Sequence, residues 1–351
     1  MTIQQPVYTR CSIWPSLGKI KRRYLSSLQE EFFIYMSTYT AEFVSPKHPD
    51  KQCDVIADSI LDAYLKKDPE SRVAVEIMGG HKLITINGEV TSKANPQLEK
   101  IVKDIVGKGY KIIINISKQS PEIARGVDTG GAGDQGIMIG YACNETKNLL
   151  PLEYELARNL CMEIYKKYPY DGKTQVTIEN KKVKTVVASF QNTKSPELLK
   201  LVKKIIKAEE YLINPAGEWK QGGFDADTGL SGRKIVIDNY GPRVPIGGGS
   251  FSGKDYTKVD RSGAYVARKI AVDYLKKYNA KEVLVKLAYA IGKQNPVMNI
   301  ALVDGKEVSI DDYDLSPLGI RTLLRLDKIK FAKTSVGGHF GRGFEWDICE
   351  G

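Results

Sequence analysis

Three stretches of this 351-residue chain repeat one order of elements, and that repetition limits the possible folds more than any other feature. The first is an amphipathic helix ending at Ile60–Lys67, with Ile56, Ile60, Leu61, Tyr64 and Leu65 on one face. Strand-like Val73–Ile77 and Leu83–Ile86 follow, then Asn87-Gly88. The order returns after Glu163–Lys167, with Gln175–Ile178 and Val183–Val187. It returns again after Asp273–Lys277, with Val283–Leu287 and Asn299–Val303. The first two copies agree further on. Pro96, Leu98, Lys100, Val102, Lys103 and Ile105 match Pro196, Leu198, Lys200, Val202, Lys203 and Ile205, every pair 100 positions apart. Helices with one apolar face and hairpins with period-two alternation predict an α+β protein: three pseudo-repeated domains, each a helix layer on a mostly antiparallel sheet. The expected division is an extension over 1–35 outside the core, then repeats over 36–128, 129–222 and 223–351.

Composition excludes several function classes. The chain is 42% apolar and 27% charged, ordinary for a globular protein, and no apolar run approaches the roughly 18 residues that would span a bilayer. Cys11, Cys53, Cys143, Cys161 and Cys349 are scattered, odd in number and without a CxxC pair. They suggest neither a disulfide framework nor a zinc site, and a reducing cytoplasm fits them best. The net charge is +10, but its lysines are dispersed as pairs along helices, without the clustered cations and interleaved aromatics of a nucleic-acid binder. Residues 1–35 mix Pro6, Pro15 and Gly18 with the basic Lys19–Arg23. They lack the apolar centre of a secretory signal, and Glu30 and Glu31 argue against a transit peptide, so an extension ahead of a start at Met36 is expected.

The segment Gly247-Gly-Gly-Ser-Phe-Ser-Gly-Lys-Asp255 is phosphate-like, because glycines let backbone N–H groups approach phosphate oxygens and Lys254 adds a point charge. A strand at Lys234–Asp238 and a helix from about Ser262 are predicted around it. Gly248, Gly253 and Lys254 satisfy G-x-x-x-x-G-K, but Asp255 replaces the Ser or Thr of a P-loop, which weighs against a P-loop phosphotransferase. Lys258 and Asp260 follow, better suited to a phosphate–metal site of another type. His48-Pro-Asp-Lys51 places an imidazole, a carboxylate and an ammonium before a helix. It reads either as a helix-capping turn or, with Asp50 paired to the distant Asp260, as a Mg²⁺–phosphate site. Downstream Asp54, Asp58 and Asp62 share a helix face that reads as mostly solvated. Gly131–Gly136 forms a tight backbone approach around Asp134, and Gly229–Lys234 ends in Arg233 and Lys234, a fork and a point charge suited to polyphosphate. With only His48, His81 and His339, no nucleophilic triad or His/Cys metal cluster can be assembled. The residues point to a polyphosphate enzyme working through cations, Mg²⁺ and positioning.

Together these segments resemble the methionine adenosyltransferase (S-adenosylmethionine synthetase) family. Gly131–Gly136 and Gly247–Asp255 are similar to its two signatures. His48–Lys51, Lys118–Pro121, Asn214-Pro215, Gly229–Lys234, Tyr289–Gly292 and Gly338–Arg342 stand in the expected order from about Met36 onward, over about nine-tenths of the chain. The resemblance implies three similar α+β domains, and synthesis of S-adenosylmethionine from ATP and L-methionine by in-line attack of sulfur on ribose C5′. Triphosphate is then hydrolysed to phosphate and pyrophosphate. It further implies two Mg²⁺ per site, K⁺, a cytoplasmic homodimer or homotetramer with shared active sites, and neither nucleic-acid nor membrane partners. Carried over by position, His48, Lys51, Arg233, Lys254 and Lys258 would be catalytic. Glu42, His48, Lys51, Asp171, Lys173, Trp219, Asp227, Arg233, Lys234, Ser250 and Lys254 would bind ATP, and Glu89, Gln119, Asp134, Asp227, Lys258 and Ile291 methionine. Asp50 and Asp260 would hold Mg²⁺ and Glu76 K⁺. Two departures stand out. The family's Glu-Ser-Val-Ser-Glu-Gly-His-Pro-Asp-Lys is here Glu42-Phe-Val-Ser-Pro-Lys-His-Pro-Asp-Lys51, and the gating loop between Gln119 and Gly131 is short, as is the segment Glu145–Asp171.

Overall fold

The computed structural model describes residues 38–119 and 130–349; the extension 1–35 and all but the last residue of the short loop at 120–130 lie outside them. In chain order the first elements are β1 (Thr38–Val44), α1 (Pro49–Lys67), β2 (Arg72–Gly80), β3 (Leu83–Thr91), α2 (Leu98–Val106) and β4 (Lys111–Ser117). Then come β5 (Gly136–Cys143), α3 (Leu152–Lys167), β6 (Gly172–Glu179), β7 (Lys182–Phe190), α4 (Ser195–Ile205) and β8 (Glu210–Ile213). The last third holds β9 (Gly229–Leu230), α5 (Ile235–Asp238), α6 (Val259–Lys277), β10 (Glu282–Tyr289), β11 (Met298–Val303), β12 (Lys306–Ser309) and α7 (Pro317–Leu323).

The three copies form three four-stranded sheets, ordered β9-β2-β3-β4, β1-β6-β7-β8 and β5-β10-β11-β12. Each sheet is built on the hairpin that follows one long helix, and each borrows a strand from another part of the chain. β1 pairs with β6, β5 with β10 and β9 with β2. The copies are therefore interlaced. Pairing is antiparallel except β3 with β4 and β7 with β8, which run parallel because α2 and α4 carry the chain back across the sheet. The third copy closes with the β11–β12 hairpin instead, which is why the 100-residue register joins only the first two.

Helix α1 starts where the sequence dictates. The His48 ring accepts the Asp50 N–H at 3.2 Å, Pro49 occupies the first turn, and Lys66 and Lys67 sit in the last. Its Ile56 and Ile60 are completely buried, each contributing roughly 1.5–3 kcal/mol of transfer free energy. Helix α6 is buried on nearly every side, with Arg261 and Arg268 sealed inside. One continuous apolar cluster draws on all three copies.

Two expectations are corrected. Lys234–Asp238 is not a strand: Asp238 N–H bonds the Lys234 carbonyl at 2.8 Å and Asn239 N–H that of Ile235 at 3.1 Å, forming a helical turn. The β-branched run is overridden because Asp238 must turn inward to meet the buried Lys51. The aspartate face of α1 is not solvated either. Asp54 and Asp58 are fully buried, and Asp62 accepts the N–H groups of Phe331 at 2.8 Å and Ala332 at 3.0 Å. Each carboxylate meets a donor from a distant segment, a partner that helical periodicity does not reveal.

Candidate functional site

The edge of β2 away from β3 organises the site. Gly229 and Leu230 pair with Gly79 and Met78, and Ser231 N–H bonds the Ile77 carbonyl at 2.9 Å. Further along the same edge Val75 N–H bonds the Gly253 carbonyl at 3.1 Å, and Asp255 N–H that of Val73 at 3.2 Å. Two loops far apart in sequence, 229–234 and 247–255, are thus laid end to end along one strand. They also touch: a Cβ on Gly232 would lie 2.5 Å from the Ser250 Cβ. Glu76 projects between them and accepts the Ser231 hydroxyl; desolvation raises its pKa, the Ser231 bond opposing.

On one side stands Asp50, buried at the start of α1. It accepts the Leu230 N–H at 2.9 Å, pairs with the Lys234 ammonium, and has the Arg233 guanidinium at 3.7 Å and the His48 ring at 3.9 Å. Burial would raise the Asp50 pKa, yet Lys234 and the Leu230 N–H hold it below the usual carboxylate range. His48 is pushed down to about 4, by burial first and then by the Lys234 charge. Its ring is therefore neutral near pH 7. Since Nδ1 accepts the Asp50 N–H, the proton sits on Nε2, leaving a hydrogen-bond donor. Arg233 and Lys234 share a cavity of about 380 Å³ with Glu42 and Lys173, themselves 3.5 Å apart. Asp171 accepts the Gly223 N–H at 2.9 Å; burial raises its carboxyl, that bond opposing and the Asp227 charge adding to the rise.

On the other side Lys254 reaches Asp260 at 2.8 Å. Gly249 lies so close that a Cβ there would be 2.1 Å from Asp260 Oδ1, so only glycine lets the loop cradle this carboxylate. Asp255 is fully buried, bonding the N–H groups of Val73 and Thr257 and the Lys258 ammonium. It is a structural tie, and with a helical turn at 235–238 no P-loop geometry exists here. Gly133 N–H bonds the Thr257 carbonyl at 3.2 Å, and Ala132 exchanges bonds with Gly292 and Lys293, so the glycine hexapeptide joins the Lys258 loop to the half-exposed Ile291.

Most expected site residues therefore converge on one groove. Lys51 is placed beneath it. Burial alone would lower the pKa of its ammonium, but Asp238 and Asp54 raise it, and the charge stays sealed between them. Burial pushes Asp238 up to about 7 against the pull of Lys51. Trp219 donates to Ser189 at 3.0 Å; among the described residues Asp134 accepts only its neighbour's N–H and the buried Gln119 Oε1 has no partner. Glu89 stands exposed on β3, opposite Ala74 on β2. Among the described residues no hydrogen bond or ion pair ties these four to the groove. Sequence reasoning missed Ser231, Asp238 and Arg261. Only the spacing of Ser231 from the cation pair, within one glycine loop, could have flagged any of them.

The metals implied by the resemblance fit these donors. Mg²⁺ takes one or two carboxylates and completes its shell with phosphate and water. Asp50 and Asp260 are such carboxylates, each already holding a lysine within reach of an anion. The single exposed carboxylate of Glu76 suits a weakly held monovalent cation.

Comparison with known proteins follows this geometry. The family models described as S-adenosylmethionine synthetase N-terminal, central and C-terminal domains match residues 36–128, 129–219 and 221–348. An S-adenosylmethionine synthase of Mycoplasmopsis pulmonis is 41% identical over 350 residues, covering 87% of this chain and 93% of that protein. One from Pelagibacter ubique is 40% identical, covering 88% and 95%. A solved S-adenosylmethionine synthetase from Campylobacter jejuni superposes with a TM-score of 0.80 at 32% identity, covering 90% of this chain and 97% of that one.

Proposed function

Because the chain belongs to the S-adenosylmethionine synthetase family, and is on that ground a methionine adenosyltransferase, we propose that it joins ATP and L-methionine by in-line attack of sulfur on ribose C5′. Triphosphate leaves and is then split to phosphate and pyrophosphate in the same groove. The observation that carries this reading is the β2 edge, which lays the Arg233–Lys234 and Lys254 loops end to end between Asp50 and Asp260. A row of cations that long suits a triphosphate rather than a single phosphate.

Methionine sulfur is a neutral, polarizable nucleophile that needs no deprotonation, so the step asks for no general base. The barrier lies in departure of the polyanion. Arg233, Lys234 and Lys254 stabilise its developing charge, and the neutral His48 donates Nε2–H to an oxygen of the leaving group. Asp50 and Asp260 orient those lysines and would hold Mg²⁺, which supplies further charge neutralisation when bound. Asp171, Lys173 and Trp219 receive the nucleotide, Glu42 and Asp227 lying at the same end. Lys258, Glu89, Gln119, Asp134 and Ile291 receive methionine, and Glu76 holds K⁺. Fixing both reactants removes an entropic barrier.

The same reading includes a homodimer or homotetramer in the cytoplasm. On the open face of β9-β2-β3-β4, Leu230, Met78, Thr85 and Ile113 form one cross-strand row, and Glu76, Asn87 and Asn115 the next. Met78 is 45% and Ile113 42% exposed, so a second copy seated there would bury apolar surface beside Glu76 and Glu89. No helix among the described residues is long and apolar enough to cross a membrane, and Cys53, Cys143 and Cys161 are buried thiols. The in-line step is tested with ATP stereospecifically deuterated at C5′. Inversion in the product is expected, and retention would show a two-step route through an adenosylated enzyme.

A further inference from the structure

Two aspartates one turn apart on α1, Asp54 and Asp58, are fully buried, and each grips one of the two groove loops by a glycine backbone. Asp54 Oδ1 accepts the Gly232 N–H at 2.9 Å, and Asp58 Oδ1 accepts the Gly253 N–H at 2.8 Å. Both glycines have positive φ, +73° and +80°, and neither offers a side chain to pack, so backbone bonds are what hold these turns. Each carboxylate also has a buried cation. Lys51 reaches Asp54 at 2.8 Å; Arg261 forks onto Asp58 at 2.7 and 2.8 Å and donates to the Lys254 carbonyl at 3.1 Å. Lys51 follows Asp50 in sequence and Arg261 follows Asp260, so each buried pair also fastens the neighbour of a groove carboxylate.

We infer that Asp54 and Asp58 are positioning residues for the ATP site: spaced about 6 Å apart by one helical turn, they set the separation of the 229–234 and 247–255 loops. Through Gly232 and Gly253 they fix where Arg233 and Lys234 stand relative to Lys254. This rests on the proposed function only in taking that groove as the triphosphate site. Helix packing alone does not require it, since the apolar stripe of α1 would seat the helix without any carboxylate aimed at a loop N–H.

The test uses the full chain with Asp54→Ala and Asp54→Asn. Both variants should fold, because Lys51 keeps Asp238 as counter-ion. Asn retains an oxygen acceptor for the Gly232 N–H, whereas Ala removes it. Asp54→Ala should lower kcat/KM for ATP by roughly 30- to 100-fold, the penalty expected for displacing a catalytic element by about 1 Å, with the KM for methionine within about twofold. Asp54→Asn should restore it to within about fivefold of wild type. Amide hydrogen exchange over 229–234 should quicken in the Ala variant and not in the Asn variant. A folded Asp54→Ala with wild-type ATP kinetics and unchanged exchange overturns the inference, as does an equal loss in both variants. Asp58→Asn leaves Arg261 buried without an anion; if it fails to fold, the Asp54 pair still decides. Should the wild-type chain form no S-adenosylmethionine, the proposed function fails, and the exchange measurement alone decides the pinning.

Discussion

Gly249→Ala separates the groove's chemistry from its stability. The φ of Gly249 is one that ordinary side chains adopt, so alanine brings no backbone strain. Its methyl group would instead stand 2.1 Å from Asp260 Oδ1 and 2.4 Å from its Cγ. Reaching an ordinary 3.4 Å contact requires the carboxylate to swing away by about 1.3 Å, breaking the 2.8 Å pair with Lys254. Loss of such a partly exposed pair costs about 0–1 kcal/mol, and Gly→Ala at a compatible φ returns about 0.4–1 kcal/mol through the unfolded chain. Stability should therefore stay within about 1 kcal/mol of wild type. A displacement beyond 1 Å at a catalytic group costs about 100-fold in rate, or about 2.7 kcal/mol of barrier. The assay is S-adenosylmethionine formation across a Mg²⁺ titration, alongside thermal denaturation. Gly248→Ala is the control. Its φ is +104° with nothing within 4 Å of the new methyl group, so it should lose about 1–2 kcal/mol of stability while leaving Asp260 in place. Wild-type kcat/KM for ATP in Gly249→Ala, or equal kinetic losses in both variants, would refute the cradle.

Asp50→Asn should abolish synthesis at limiting Mg²⁺ while circular dichroism stays unchanged, since Lys51, Asp54 and Asp238 still hold the helix start; full activity at limiting Mg²⁺ would remove Asp50 from the metal site. The His48 share of stability should be lost as pH drops from about 6.5 toward 4, while Asp238, raised to about 7, acts in the opposite sense. The folded His48 pKa of about 4 lies below the unfolded value of 6.5, so the unfolded chain binds the proton first. The change in urea midpoint from pH 7 to 5 should be less destabilising in His48→Asn than in wild type, the buried and likewise lowered His339 and the raised Asp238 contributing to both; an unchanged pH dependence would show that the fold does not depress His48. Met78→Lys should lower the mass measured by light scattering and with it the specific activity, and an unchanged mass would place the subunit contact elsewhere.

The fold was legible because repetition is a sequence property. Helix ends at Lys67, Lys167 and Lys277 and the hairpins after them stood where periodicity put them. Strand exchange between copies was not, since β1, β5 and β9 carry no mark of which sheet they join. The groove's cations could be read because glycine loops ending in Arg233-Lys234 and Lys254 have few other uses. What lay beneath them could not: Asp54 and Asp58 look like solvated helix charges until a loop N–H arrives at each, and Arg261 at Asp58, from about 180 to 200 residues away. The place of Lys51 beneath the groove was hidden for the same reason, its neighbour Asp238 lying in a stretch that local propensity reads as strand.

The most direct test supplies the purified full chain with ATP, Mg²⁺ and K⁺, with and without L-methionine, and follows S-adenosylmethionine, phosphate and pyrophosphate together. The account predicts all three in equal amounts, and S-adenosylmethionine formed only when methionine is present. Methionine-independent phosphate release with no S-adenosylmethionine, from a chain shown to be folded, would contradict it.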